Sequence, residues 1–172
     1  NGGTLGVALG GTLSASTVNS SATTNVNGTL TAASLNVTAG TTTIDGASTL
    51  NVPTVNVSGG AVLATSGIAA GVDTIAVDSS ELAVSGDVTL TSTLNLRSGF
   101  INATGASSIT ANTLALDGNP DINVDGDFTL TANEVNAIKP NQLHFGYYAG
   151  QEATDLDLND DGGLFAKTPA DW

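Results

Sequence analysis

Acidic residues near the end of the chain have the types and spacing of a calcium-binding loop. Such loops take oxygen ligands from positions 1, 3 and 5, glycine at position 6 and a backbone carbonyl at position 7. The segment that begins at Asp157 fits this pattern, although position 12 is Thr168 instead of glutamate. The alternative is a solvated acidic turn, because Asp, Asn and Gly also favour turns. The predicted Ca²⁺ ligands are Asp155, Asp157, Asn159, Asp161 and Gly163.

Residues for catalysis are sparse. His144 is the only histidine and the chain has no cysteine, so a Ser-His-Asp arrangement would depend on that one residue. Glycoside hydrolysis needs converging carboxylates, and we interpret the nearby Asp73, Asp78 and Glu81 as corner residues of one repeat. We therefore expect that the protein is not an enzyme.

The composition favours an extracellular all-β protein. Only three Lys and Arg residues oppose 16 Asp and Glu residues, which gives a formal net charge of −13. This charge argues against binding to nucleic acid or anionic membranes, since neutralising phosphates requires basic residues. No apolar run approaches the ~18 residues of a transmembrane helix, so we expect no membrane insertion. The absence of Met predicts a processed chain or a fragment.

An internal repeat with an offset of 20 residues predicts the fold. The segment Thr29–Val37 aligns with Thr49–Val57 at this offset, and further copies follow to Ala137. Each repeat contains three short stretches in which apolar and polar residues alternate, as in β-strands. Three strands in so short a unit must pair with the equivalent strands of the next unit, which predicts a single-stranded parallel β-solenoid with six full turns.

Strand alternation then assigns four stacked columns of interior residues. The first is Leu30, Leu50, Ala70, Leu90, Ile109 and Leu130. The second is Leu35, Val55, Ile75, Leu94, Leu114 and Val135. The third is Val37, Val57, Val77, Leu96, Leu116 and Ala137, and the fourth is Val26, Ile44, Ala64, Val84, Ala103 and Val124. Glycines at 28, 46, 67, 86, 105 and 126 are predicted at corners with positive φ.

Residues 12 to 138 resemble the haemagglutinin-type repeats of filamentous-haemagglutinin-like and autotransporter adhesins. The resemblance rests on Leu-x-Val strands, external Asn and Thr, and glycine corners, and it implies a β-solenoid at the cell surface. The acidic loop at Asp157 is similar to the calcium loops of EF-hand and dockerin modules. Neither resemblance implies a particular activity, because one fold serves many functions.

The predicted organisation is an amino-terminal strand and assembly segment (1–11), a β-solenoid (12–138) and a carboxyl-terminal aromatic and acidic cap or docking tail (139–172). Residues 1–11 have no charge to block strand pairing with another molecule. The sequence thus predicts a surface filament assembled head to tail, or a rod segment of an adhesin. A terminal rung that caps its own molecule is the alternative. The predicted assembly residues are Leu5, Val7, Leu9, Phe145, Tyr147, Tyr148 and Trp172.

A second functional hypothesis rests on rows of threonine. Repeated Thr-x-Thr pairs predict two exposed columns on one flat face, interrupted at Ala69 and Gly71. Such an array could order water as an ice-binding surface or bind cell-surface glycans. The alternative is that Thr simply has a high propensity for strands. The residues of this face are Thr29, Thr31, Thr49, Thr89, Thr91, Thr129 and Thr131.

Overall fold

The computed structural model describes residues 4–137, 144–147 and 155–158, and these form parallel β-strands with no helix. The strands of each turn form three faces of the solenoid, always in the same order along the chain. We call these faces A, B and C. Within the described residues, no helix is long and apolar enough to cross a membrane. The predicted all-β parallel solenoid is confirmed, with about seven turns instead of six. At ~4.8 Å per turn, the rod is about 34 Å long.

Face A is one continuous sheet of eight strands. They are β1 (Leu5–Val7), β4 (Thr24–Val26), β7 (Thr41–Ile44), β10 (Val62–Thr65), β12 (Glu81–Val84), β15 (Phe100–Thr104), β17 (Asp121–Asp125) and β19 (His144–Tyr147). Each strand pairs in parallel with the equivalent strand of the next turn.

Face C continues the same stacking, and it joins face B near the carboxyl end. Face C contains β3 (Thr17–Ser20), β6 (Ser34–Val37), β9 (Thr54–Val57), β11 (Thr74–Asp78), β14 (Thr93–Arg97) and the second halves of β16 (Ser107–Asp117) and β18 (Phe128–Ala137). Face B contains β2 (Thr12–Ser14), β5 (Thr29–Thr31), β8 (Thr49–Asn51), β13 (Asp87–Thr89), the first halves of β16 and β18, and β20 (Asp155–Leu158). Because β19 and β20 extend the faces, pairing in register continues beyond residue 138.

The interior columns on face C are confirmed. Leu35, Val55, Ile75, Leu94, Leu114 and Val135 follow one another in register. The parallel column from Val37 to Ala137 does the same. Leu94 and Leu96 are fully buried. Stacking of aliphatic side chains between turns is therefore the main source of hydrophobic stabilisation in the rod.

Two of the predicted interior residues are wrong. On face A, Thr65 instead of Ala64 pairs with Ile44 and Val84, and Thr65 is buried. The interval from Ile44 to Thr65 is 65 − 44 = 21 residues, so an assumed offset of 20 selects the wrong face of the strand. The Thr65 hydroxyl donates to the Gly67 carbonyl at 3.1 Å, so this buried polar group has a hydrogen-bond partner.

On face B, Ala70 is exposed, and Ile68 is the buried residue that pairs with Val88. Val88 in turn pairs with Ile109, so Leu90 does not belong to the predicted first column. The segment between β10 and β11 forms one isolated bridge in place of a strand, and this change of path shifts the register.

Glycines recur at equivalent corners along the rod, but the physical constraint that requires glycine differs between corners. Gly67, Gly105 and Gly126 have positive φ, as predicted. Gly28, Gly46 and Gly86 do not have positive φ, so the prediction is wrong for these three. Space is the constraint there instead, because a Cβ on Gly86 would lie 1.9 Å from the Ser66 carbonyl oxygen. Glycine is required there because successive turns approach closely.

Candidate functional site

The amino-terminal end of the rod exposes a strand edge. Among the described residues, β1 pairs with β4 on one side, and its other edge has no strand beside it. Of the predicted assembly residues there, Leu9 is 81% exposed and Leu5 is 38% exposed. Val7 is 5% exposed because it faces the interior of its own turn. The edge therefore presents backbone hydrogen-bonding groups next to two exposed leucines.

At the carboxyl-terminal end, face A finishes with β19. Phe145 pairs with Ile122, and Tyr147 pairs with Val124, in the same register as the turns below. Tyr148 and Trp172, also predicted for assembly, lie outside the described residues. The two ends of face A are thus formed by different strands, β1 and β19.

The predicted calcium ligands fall partly within β20. Asp155 pairs with Thr129, and Asp157 pairs with Thr131, so these two acidic residues are two positions apart on one strand of face B. Asn159, Asp161 and Gly163 lie outside the described residues. Within the part of the chain that the structure describes, no group of three or more acidic or histidine residues could hold a metal ion. The calcium loop stays a prediction.

The predicted threonine face consists of two separate patches. Thr12, Thr29 and Thr49 align in the first patch, beside a column of Ser14, Thr31 and Asn51. In the second patch, Thr89, Thr110 and Thr131 form one column, and Asp87, Ser108 and Thr129 form the other. Thr91 follows β13 and lies outside both columns. The isolated bridge at Ile68 separates the patches.

Charge is distributed unevenly along the rod. The first charged side chain in the sequence is Asp45, so the first two turns carry none. Farther along, Asp78, Arg97 and Asp117 form one column in register on face C. Arg97 Nε lies 3.6 Å from Asp117 Oδ2, and Arg97 Nη1 lies 4.0 Å from Asp78 Oδ2. The arginine thus separates two carboxylates that stacking would otherwise bring close together.

A groove on the outside of face A was not predicted from the sequence. Its volume is about 500 Å³, and Ala64 and Ala83 form its floor because their small side chains point outward between larger neighbours. In the next two turns the same outward column continues with Asn102 and Asn123, which close one end of the trough. Asn123 donates to Asn102 at 3.1 Å, and Asn102 donates to Glu81. The remaining lining residues are Thr43, Asp45, Thr65, Ser66, Val84, Ser85, Ala103, Thr104 and Asp125.

The groove follows the long axis of the rod. Asp45, Ser66, Ser85, Thr104 and Asp125 border it, one from each of five successive turns. Four turn-to-turn steps of ~4.8 Å give about 19 Å between the two ends of this border. No Lys or Arg lines the groove, so its polar surface consists of carboxylates, amides and hydroxyls.

Comparison with protein-family models, with curated proteins and with solved structures finds no match to this chain. The structure shows a parallel β-solenoid architecture, and no match supports the finer resemblances to haemagglutinin-type repeats or to EF-hand and dockerin loops.

Proposed function

We propose that this protein is structural and extracellular, and that it forms a surface filament by head-to-tail assembly of β-solenoids or serves as a rod segment of an adhesin. The observation that carries the proposal is the open edge of β1 at the end of an eight-stranded sheet. Natural β-sheet proteins usually block such edges with charges, prolines or covering segments. Here the edge is uncharged and has two exposed leucines beside it.

Charge supports a head-to-tail arrangement. The first two turns are neutral, whereas residues from Asp117 to Asp127 include four aspartates in the last described turns. Two carboxyl-terminal ends would repel each other, but a neutral amino-terminal end meets no such penalty at an acidic one. Contact between two different ends is heterologous and continues indefinitely, which produces a filament.

In this proposal the protein has no catalytic role, and its main partner is another copy of itself. Burial of the Leu9 side chain at the junction would contribute about 2 kcal/mol. New backbone hydrogen bonds between β1 and the neighbouring subunit would add about 1 kcal/mol each. Calcium bound by the predicted Asp157 loop would fasten the tail to β20, the last strand of face B.

Removal of residues 1–11 tests the proposal. We expect sedimentation velocity to show large species for the intact chain at high concentration and folded monomers for the truncated chain. Leu9→Lys should have the same effect, because it places a charge beside the edge. Ala70→Lys is the matched control, since Ala70 is also exposed but lies in the middle of the rod. Assembly that is unchanged by the truncation would refute the role of this edge.

A second candidate function is binding of ice or glycans by the threonine face. The aligned column of Thr12, Thr29 and Thr49 favours it. The gap at Ile68 limits each patch to a few turns, and a short array orders less water. Thermal hysteresis and glycan-array assays distinguish the candidates, because strong hysteresis in a monomeric preparation would contradict the filament proposal.

A further inference from the structure

We infer that the groove on face A binds a glycan chain that has no acidic groups, with the chain lying parallel to the rod axis. This inference is independent of head-to-tail assembly, because the groove lies on the side of the rod. Its volume of about 500 Å³ is within the range of known ligand sites, ~300–1,000 Å³.

The shape fits an extended ligand. Ala64 and Ala83 occupy equivalent positions in successive turns, as do Ser66 and Ser85 next to them. Their small side chains leave a shallow trough between taller polar residues. Successive turns are ~4.8 Å apart along the axis, which is about the length of one sugar ring, so sugars above Ala64 and Ala83 lie in line with the amides of Asn102 and Asn123.

One end of the groove has fixed hydrogen-bonding groups. Asn102 donates one amide hydrogen to Glu81 and accepts a hydrogen bond from Asn123. These bonds hold the three side chains in place before a ligand arrives, and this reduces the entropy cost of binding. Carboxylate and amide oxygens accept hydrogen bonds from sugar hydroxyls. The Ser85 hydroxyl already donates to the Thr65 carbonyl and can accept from a sugar, whereas the Ser66 hydroxyl accepts from the Gly46 N–H and can donate to one.

Charge determines which glycans can enter. Asp45, Glu81 and Asp125 line the groove together with no basic residue. Arg97, the one Lys or Arg among the described residues, is paired with Asp78 and Asp117 on face C. A uronate, sulfate or phosphate would therefore meet repulsion with no compensating cation. Neutral sugars and amino sugars can supply hydrogen-bond donors without that repulsion.

The experiment is isothermal titration calorimetry of the full chain with four tetrasaccharides. The probes are cellotetraose, the tetramer of N-acetylglucosamine, the tetramer of glucosamine and the tetramer of galacturonate. We expect binding of at least one of the first three and none of the acidic fourth. Failure of all three non-acidic probes at millimolar concentration would overturn the inference, and so would preferential binding of galacturonate.

Two variants locate the binding site. Ala83→Phe fills the trough and should weaken binding about tenfold or more, whereas Ala76→Phe should leave it unchanged. Ala76 is the matched control, because it is also a partly exposed alanine within a strand but lies on face C. If Ala83→Phe does not fold, Asn102→Ala removes the central amide and should weaken binding about tenfold, the equivalent of one or two hydrogen bonds. Equal affinities of the wild type and the folded groove variant would overturn the inference.

Discussion

Replacement of Leu94 by alanine tests whether stacking of interior columns stabilises the rod. Leu94 is fully buried, and it lies in register between Ile75 and Leu114, which are also buried. The substitution removes the transfer free energy of the lost methyl and methylene groups and leaves a cavity that neighbouring turns fill only in part. For a Leu→Ala change in a core, the two contributions together cost about 3–5 kcal/mol.

The assay is urea unfolding followed by circular dichroism, with Leu9→Ala as the control. Leu9 is 81% exposed, so its truncation should change the free energy of unfolding of the isolated chain by less than about 0.5 kcal/mol. We expect a large decrease for Leu94→Ala with an unchanged dependence on urea. A decrease below about 1 kcal/mol, or equal effects at the two leucines, would refute the stacking argument.

Three further predictions concern the corners, one buried hydroxyl and calcium. Gly86→Ala should lower the melting temperature markedly, because its Cβ would lie 1.9 Å from the Ser66 carbonyl oxygen, whereas Gly6→Ala has no atom within 4 Å and should not; similar melting temperatures would contradict the close approach of turns. Ser107→Ala should raise the free energy of unfolding by about 1 kcal/mol in urea titration, since the buried Ser107 hydroxyl has no hydrogen-bond partner among the described residues, and a loss of stability would show that the hydroxyl is satisfied. Chelation of calcium should loosen the tail and leave the rod rich in β-structure, as measured by limited proteolysis and circular dichroism, and Asp157→Ala should reproduce the effect; a melting curve unmoved by either change would count against the calcium loop.

The repeat in the sequence was sufficient to predict the fold and the register of two columns on face C, which are buried as far as Leu114 and Leu116. This succeeded on face C because a recurring motif of an aliphatic residue, Asn and Val marks the register there, as in Ser34–Val37 and Thr54–Val57, which pair residue for residue. It failed where corners change length. The step from Thr24 to Thr42 is 42 − 24 = 18 residues, and the next step, from Thr42 to Leu63, is 63 − 42 = 21 residues.

The wrong assignment of Ala64 also explains why the groove was not predicted. Assigning Ala64 to the interior left no reason to expect a trough on the outer surface of face A. Its true position, outside and in register with Ala83, places two small side chains in succession. Register between strands is a three-dimensional property, and a shift of one residue reverses the face on which a side chain lies.

The amino-terminal edge was easier to anticipate, because the absence of charge there is visible in the sequence. The structure adds which leucines are available. Val7 faces inward, whereas Leu5 and Leu9 are exposed. Alternation alone could not assign Leu9, since it lies after the end of β1, at a turn.

Electron cryomicroscopy of the purified chain, incubated at increasing concentration, tests the central proposal of head-to-tail assembly most directly. We predict unbranched filaments in which strands lie perpendicular to the axis and the ~4.8 Å repeat continues through each junction between subunits. Separate particles about 34 Å long, the length of seven turns, at every concentration would contradict assembly through the open edge of β1.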